Sequence, residues 1–224
     1  MRYIDRHDAG RKLALRLSDY TGAEDLIVLG LPRGGVPVAA AVAEQLGGPL
    51  DTIVVRKVGV PGHEELAMGA VAGGVTVRND LVLERLHVPP GVFEIHAEAQ
   101  RKEVQRREAL YRGDQPPLPL RDRTVILVDD GLATGATMKA AVEAVRKSHP
   151  RRLIVAVPVA ARATADAFRQ MLEAASEEVV CLHEAEMLDG VGRWYEDFRQ
   201  IDDQEVRHLL GSGSGQSAAS SESA

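Results

Sequence analysis

Short apolar runs alternate with stretches of helical period along most of the chain. Leu26–Leu31 (LIVLGL), Asp51–Arg56 (DTIVVR), Thr124–Asp129 (TVILVD), Leu153–Val157 (LIVAV) and Val179–Leu182 (VVCL) are apolar at consecutive positions and rich in β-branched residues. Each is bounded by Gly, Pro or charge, the pattern of a strand covered on both faces. Between them, Val36–Leu46, Gly135–Lys147 and Ala161–Ala174 carry apolar residues at helical spacing. Repetition of strand, helix and strand predicts right-handed crossovers. The expected fold is therefore α/β, with a doubly wound, mostly parallel five-stranded sheet.

Two segments break this rhythm. Val58–Gly74 (VGVPGHEELAMGAVAGG) is punctuated by Gly and Pro and reads as a long loop, a feature that in compact domains is usually functional or disordered. Asp80–Gly113 reads as a charged helical hairpin divided at Pro89-Pro90, its sparse apolar positions predicting attachment through one stripe. From Gly211 onward the low-complexity GSGSGQSAASSESA predicts a disordered tail.

Composition narrows the function classes. The 224 residues suit one domain of ordinary size, and 45% hydrophobic content with only 4% aromatics predicts a core of Val, Leu, Ile and Ala. A formal charge of −6, with Arg scattered among carboxylates, supplies no basic field for nucleic acid. The one cysteine, Cys181, excludes an internal disulfide, and no Cys/His cluster has zinc spacing. MRYIDRHDAGRKL lacks an apolar signal core, and no run approaches membrane-spanning length, so the expectation is a cytoplasmic protein without a membrane partner.

VILVDDGLATGATMKAAVEAV, Val125 to Val145, carries the candidate chemistry. A buried strand ends in Asp129 and Asp130, a loop of small and hydroxyl residues follows, and an amphipathic helix begins. Such a loop points unpaired backbone N–H groups outward, and the helix macrodipole adds partial positive charge. With Gly135 allowing close approach and Thr134 and Thr137 offering hydroxyls, Ala133–Thr137 reads as a phosphate cradle. It is no Walker loop, because G-x-x-x-x-G-K-[ST] is absent. Two carboxylates beside a phosphate are unfavourable unless they face hydroxyls, a metal or developing positive charge. A ribose 5-phosphate meets that condition, its 2- and 3-hydroxyls donating to the acids, which would also stabilise an oxocarbenium-like ribose.

VILVDDGLATGATM resembles the phosphoribosyl-diphosphate (PRPP) signature of type I phosphoribosyltransferases. With Ala133 it is most similar to the adenine and orotate enzymes. The 6-oxopurine enzymes carry an aspartate at that position, which argues against hypoxanthine or guanine. The resemblance implies a diphosphate loop, matched by Gly30–Val36 (GLPRGGV), where Arg33, Gly34 and Gly35 would supply donors and Pro32–Arg33 corresponds to a bond that is often cis. It implies a catalytic lid, matched at 57–74, with Lys57 contacting diphosphate and His63 or Glu64 transferring a proton. It also implies a hood for the acceptor, where Trp194 and Tyr195 of VGRWYEDFRQ offer stacking faces.

The expected organisation is one domain over 1–210: a core at about 21–185, the lid, a helical insertion at 80–113, a hood from 1–20 and 186–210, and the tail 211–224. The expected activity is phosphoribosyl transfer from PRPP to a nitrogen of a small base with release of diphosphate. Mg²⁺ would be bound mainly through PRPP, with no protein metal site, and a homodimer is admissible. The alternative from another class is a module that senses PRPP or a nucleotide without turnover.

Overall fold

The computed structural model describes residues 2–89, 91–172 and 176–213, without the side chains of Glu64, Glu65 and Ser212. Ala174, Pro90 and the tail beyond Gly213 lie outside the described residues. Helix α1 (Arg6–Arg16) is followed by strand β1 (Leu26–Gly30), helix α2 (Gly35–Leu46) and strand β2 (Leu50–Thr52). Strand β3 (Val55–Val60), strand β4 (His63–Ala72) and strand β5 (Val75–Arg78) come next, then helices α3 (Asp80–Arg85) and α4 (Val92–Arg112). Strand β6 (Thr124–Val128), helix α5 (Ala136–Arg146), strand β7 (Arg152–Ala161), helix α6 (Arg162–Met171), strand β8 (Glu177–Ala185) and helix α7 (Asp203–Gly213) complete the order.

The main sheet is parallel, in the order β2-β1-β6-β7-β8. Strand residues alternate between its two faces. Ile27, Leu29, Val125, Leu127, Leu153 and Val155 pack with α5 and α6, while Leu26, Val28, Ile126, Val128 and Ile154 pack with α1 and α2. Both faces are thus apolar, which is why the strands read as continuous hydrophobic runs. The chain leaves β1 toward β2 on one side and returns to β6 on the other, so strand order reverses between β1 and β6. Their carboxyl ends lie side by side, Gly30 opposite Val128. Doubly wound sheets bind ligands in the crevice at that reversal.

Three expectations need correction. The apolar run Asp51–Arg56 is not one strand. Thr52 donates its hydroxyl to Gly30 O at 2.8 Å, and after Ile53 the chain leaves the parallel sheet to start a second, antiparallel one of β3, β4 and β5. Nor is Val58–Gly74 a long loop. It belongs to the β3–β4 hairpin, whose Val58, Val60, Met68 and Val71 are buried against Phe93, Ala97, Val104 and Tyr111 of α4 and against Ile201, Val206 and Leu210. Those α4 positions form the single stripe through which the helix attaches. Gly211–Gly213, placed by sequence in the tail, continue α7.

Candidate functional site

The crevice at the strand reversal is built from two loops that touch. After β6, Asp129 turns its carboxylate back so that Oδ1 accepts from Asp130 N at 2.9 Å. After β1, Leu31 N donates to Val128 O at 2.9 Å, the Pro32–Arg33 peptide is cis, and α2 begins at Gly35. Here glycine is required by packing. A Cβ on Gly35 would lie 2.7 Å from Val128 O and 2.8 Å from Asp129 Cα, and one on Gly34 would overlap the Asp130 carboxylate. The Arg33 guanidinium reaches outward to within 3.9 Å of Asp203 Oδ1, the same oxygen that accepts from Tyr111 OH at 2.8 Å.

Both acids are half-buried. Burial pushes the Asp129 carboxyl well above the usual carboxylate range, and the neighbouring Asp130 charge adds to the effect. Burial also raises Asp130, against the opposing pull of Arg6, whose Nε lies 2.9 Å from Asp130 Oδ2. Neither acid is at a freely solvated strand end.

Residues Gly131–Met138, with Asp129 and Val191, line a cavity of about 170 Å³. Gly135 takes φ +72 at the start of α5, a conformation L side chains rarely adopt, and Lys139 N makes the first intrahelical bond to its carbonyl at 2.8 Å. The amides of Ala136, Thr137 and Met138 precede that bond, so they have no intrahelical acceptor and face the turn. Ala133, Thr134, Ala136 and Thr137 are exposed there, and Thr164 Oγ1 braces the loop by donating to Ala133 O at 2.6 Å. The arrangement suits a small oxyanion next to hydroxyl-accepting carboxylates. A larger cavity, about 710 Å³, lies among β2, the end of α4 and α7, with no part of this loop in its walls.

The lid residues are placed differently. Lys57 is exposed on β3 and lines a separate cavity of about 370 Å³ with Arg78, Lys139 and Glu143, sharing only Ala136 with the cradle. His63 is exposed at the hairpin end, opposite Val60, and lines neither cavity. The Glu64 side chain lies outside what the structure describes.

The stacking role expected of Tyr195 must also be corrected. Its ring is 3% exposed, filled in by Tyr3 at 5.4 Å and Phe198 at 5.0 Å between centroids, which leaves no face for a base. Its hydroxyl instead donates to Asp130 O at 2.6 Å. Trp194 is half-buried and stacks on His183 at 5.7 Å. Sequence reasoning missed Arg6, whose carboxylate partner lies 124 residues away, and Val191, which covers Gly131. Nothing local in RYIDRHD marks Arg6; the pairing of Tyr3 with Tyr195 and the packing of α1 on α2 bring the chain's start to this crevice.

Comparison with known proteins adds independent findings. The model of the phosphoribosyl transferase domain matches residues 4–171. A Mycobacterium tuberculosis protein named "Putative phosphoribosyl transferase Rv0571c" is 43% identical over 209 residues, 93% of this chain and 46% of that protein. The chain therefore spans about half the length of this relative. A "Bifunctional protein PyrR" of Deinococcus deserti is 28% identical over 181 residues, 77% of this chain and 80% of that one. Among solved structures, the crystal structure of TT1426 from Thermus thermophilus superposes with a TM-score of 0.82 at 43% identity, covering 94% of this chain and 98% of the other.

Proposed function

Since this chain belongs to the phosphoribosyl transferase domain family, we propose that it transfers the 5-phosphoribosyl group of PRPP to a nitrogen of a small base and releases diphosphate. The observation that carries this reading is the contact of two loops at one crevice, Gly34 and Gly35 lying against Asp130 and Asp129. In this reading the amides and hydroxyls of Ala133–Thr137 take the 5-phosphate, and Asp129 and Asp130 accept from the ribose hydroxyls. Arg33, Gly34 and Gly35 hold the diphosphate.

The acceptor's nitrogen lone pair then forms the new bond to C1 as the C1–O bond breaks. The bonding electrons leave with diphosphate, and the nitrogen's proton is lost to a base. The protein contributes placement and charge: two carboxylates beside the furanose stabilise positive charge at C1, and crevice walls exclude water. Among the described residues no group of three or more His, Cys, Asp or Glu is arranged to hold a metal ion. Mg²⁺ fits as an ion carried by diphosphate, ribose hydroxyls and water, and it would neutralise the leaving group's charge.

Of the three candidate lid side chains, Lys57 lines a cavity that shares Ala136 with the cradle, and His63 does not. This placement, with Tyr195 sealed, favours a second reading: a PRPP- or nucleotide-binding module without turnover. Calorimetry with PRPP and Mg²⁺, followed by a diphosphate-release assay over a panel of bases, separates the two. The enzyme reading expects base-dependent release that nearly vanishes in Asp129→Asn/Asp130→Asn while the fold persists. Tight binding with no release across the panel supports the sensor, and full turnover in the double variant sinks the site assignment.

A further inference from the structure

We propose that Arg6 is a positioning residue that aims Asp130 at a sugar hydroxyl, so that ribose recognition depends on a side chain 124 residues away in the sequence. The proposal rests on the PRPP reading and extends it.

Arg6 is 8% exposed and its guanidinium is held from three directions. Nε donates to Asp130 Oδ2 at 2.9 Å, Nη1 donates to Arg199 O at 2.9 Å, and the Phe198 ring centroid lies 3.8 Å from Cζ. Its backbone is equally fixed. Arg6 opens α1, whose cap Asp5 accepts from Asp8 N at 2.7 Å, and the preceding Tyr3 is hydrogen-bonded to Trp194 and Glu196 and donates its hydroxyl to Pro158 O at 2.8 Å. A planar guanidinium so gripped is a rigid fork, not a mobile surface charge.

The partner needs such a fork. Asp130 faces Asp129 along the chain, Arg6 from α1, the Tyr195 hydroxyl on its carbonyl, and Gly34, which leaves room for nothing larger than hydrogen. Two adjacent, half-buried carboxylates repel, and without a cation Asp130 would turn away or take up a proton. Arg6 engages Oδ2 only, and among the described residues no other side chain donates to Oδ1. Arg6 thus favours the charged form of Asp130 against its burial, and it leaves the second oxygen without a side-chain donor among the described residues.

The test compares ribose 5-phosphate with tetrahydrofurfuryl phosphate, which keeps the ring and phosphate but lacks the ring hydroxyls. Titration calorimetry on the wild type should show roughly 10–100-fold tighter binding of ribose 5-phosphate, the range for hydrogen bonds to a charged acceptor. Arg6→Ala should cut that ratio about tenfold or more and leave tetrahydrofurfuryl phosphate within about twofold of wild type. Arg6→Lys, which keeps the charge but not the fork, should restore part of the ratio. Arg6→Gln, matching the side chain's length more nearly than Ala, repeats the test should Arg6→Ala not fold.

An unchanged ratio in a folded Arg6 variant, or equal loss of both ligands, would overturn the positioning role. A wild type that binds neither phosphate ester removes the PRPP reading itself, and that failure shows before any variant is made.

Discussion

Substituting Gly35→Ala tests the contact on which the candidate site is built. Gly35 has no positive φ, so the penalty is steric. The new Cβ would stand 2.7 Å from Val128 O, 2.8 Å from Asp129 Cα and 3.0 Å from Asp129 Oδ1. The first two are backbone atoms at the end of a wholly buried strand, and Val128 O already accepts from Leu31 N at 2.9 Å. No rotamer change relieves the overlap, so one loop must retreat by about half an ångström or more. Overpacking of this kind costs about 2–3 kcal/mol, which for a chain of this size lowers Tm by roughly 4–12 °C. The same retreat separates the Arg33–Gly35 loop from the acids, and if that loop holds diphosphate as proposed, misplacement on this scale costs at least about tenfold in PRPP affinity. Scanning calorimetry and PRPP titration read the two effects. Gly211→Ala is the control: nothing lies within 4 Å of its Cβ, and both readouts should stay unchanged or Tm should rise slightly. A Gly35→Ala protein with wild-type Tm and wild-type PRPP affinity would refute the contact and, with it, the shared site. Loss of Tm alone would make the contact structural.

Two further outcomes follow from the charges. Because burial raises both acids of the Asp129–Asp130 pair, the folded state holds their protons more tightly than the unfolded chain does. The ionised pair therefore weakens the fold at neutral pH, and this is relieved as pH falls through the raised values. Asp129→Asn should melt no lower than wild type at neutral pH, and the ribose 5-phosphate preference should decline on acidification above the ordinary aspartate range; a lower melting point for Asp129→Asn contradicts the sign. Asp51 and Arg112 form a buried pair at 2.7 Å, and Asp51 also accepts from Thr52 N at 2.7 Å and Leu118 N at 3.0 Å. Asp51→Ala removes the nearest carboxylate from Arg112, leaving it Glu108 at 3.7 Å and the Thr52 carbonyl, and should cost about 3 kcal/mol, seen in denaturant unfolding, with Asp51→Asn costing less because its one carboxamide oxygen still accepts from one of the two amides.

The elements that carry the candidate site were readable from local signals. β6 and α5 differ from the expected spans by a residue at most ends, because a continuous apolar run and a glycine-opened amphipathic helix each depend on neighbours in the chain. GLPRGGV and VDDGLATGAT likewise write their loops in contiguous residues, and parallel pairing of β1 with β6 sets them side by side. The hairpin was not readable. Its glycines and polar tip look like a loop, and what makes it a sheet is burial against Phe93, Val104 and Ile201, supplied from outside the segment. Tyr195 carries no local mark of whether its ring meets a ligand or Tyr3, and Arg6 none of its partner. Periodicity and turn chemistry are encoded over a few residues. Which buried charge finds which counter-charge, and which aromatic face remains open, depends on distant segments meeting in space, so those features arise with the packing.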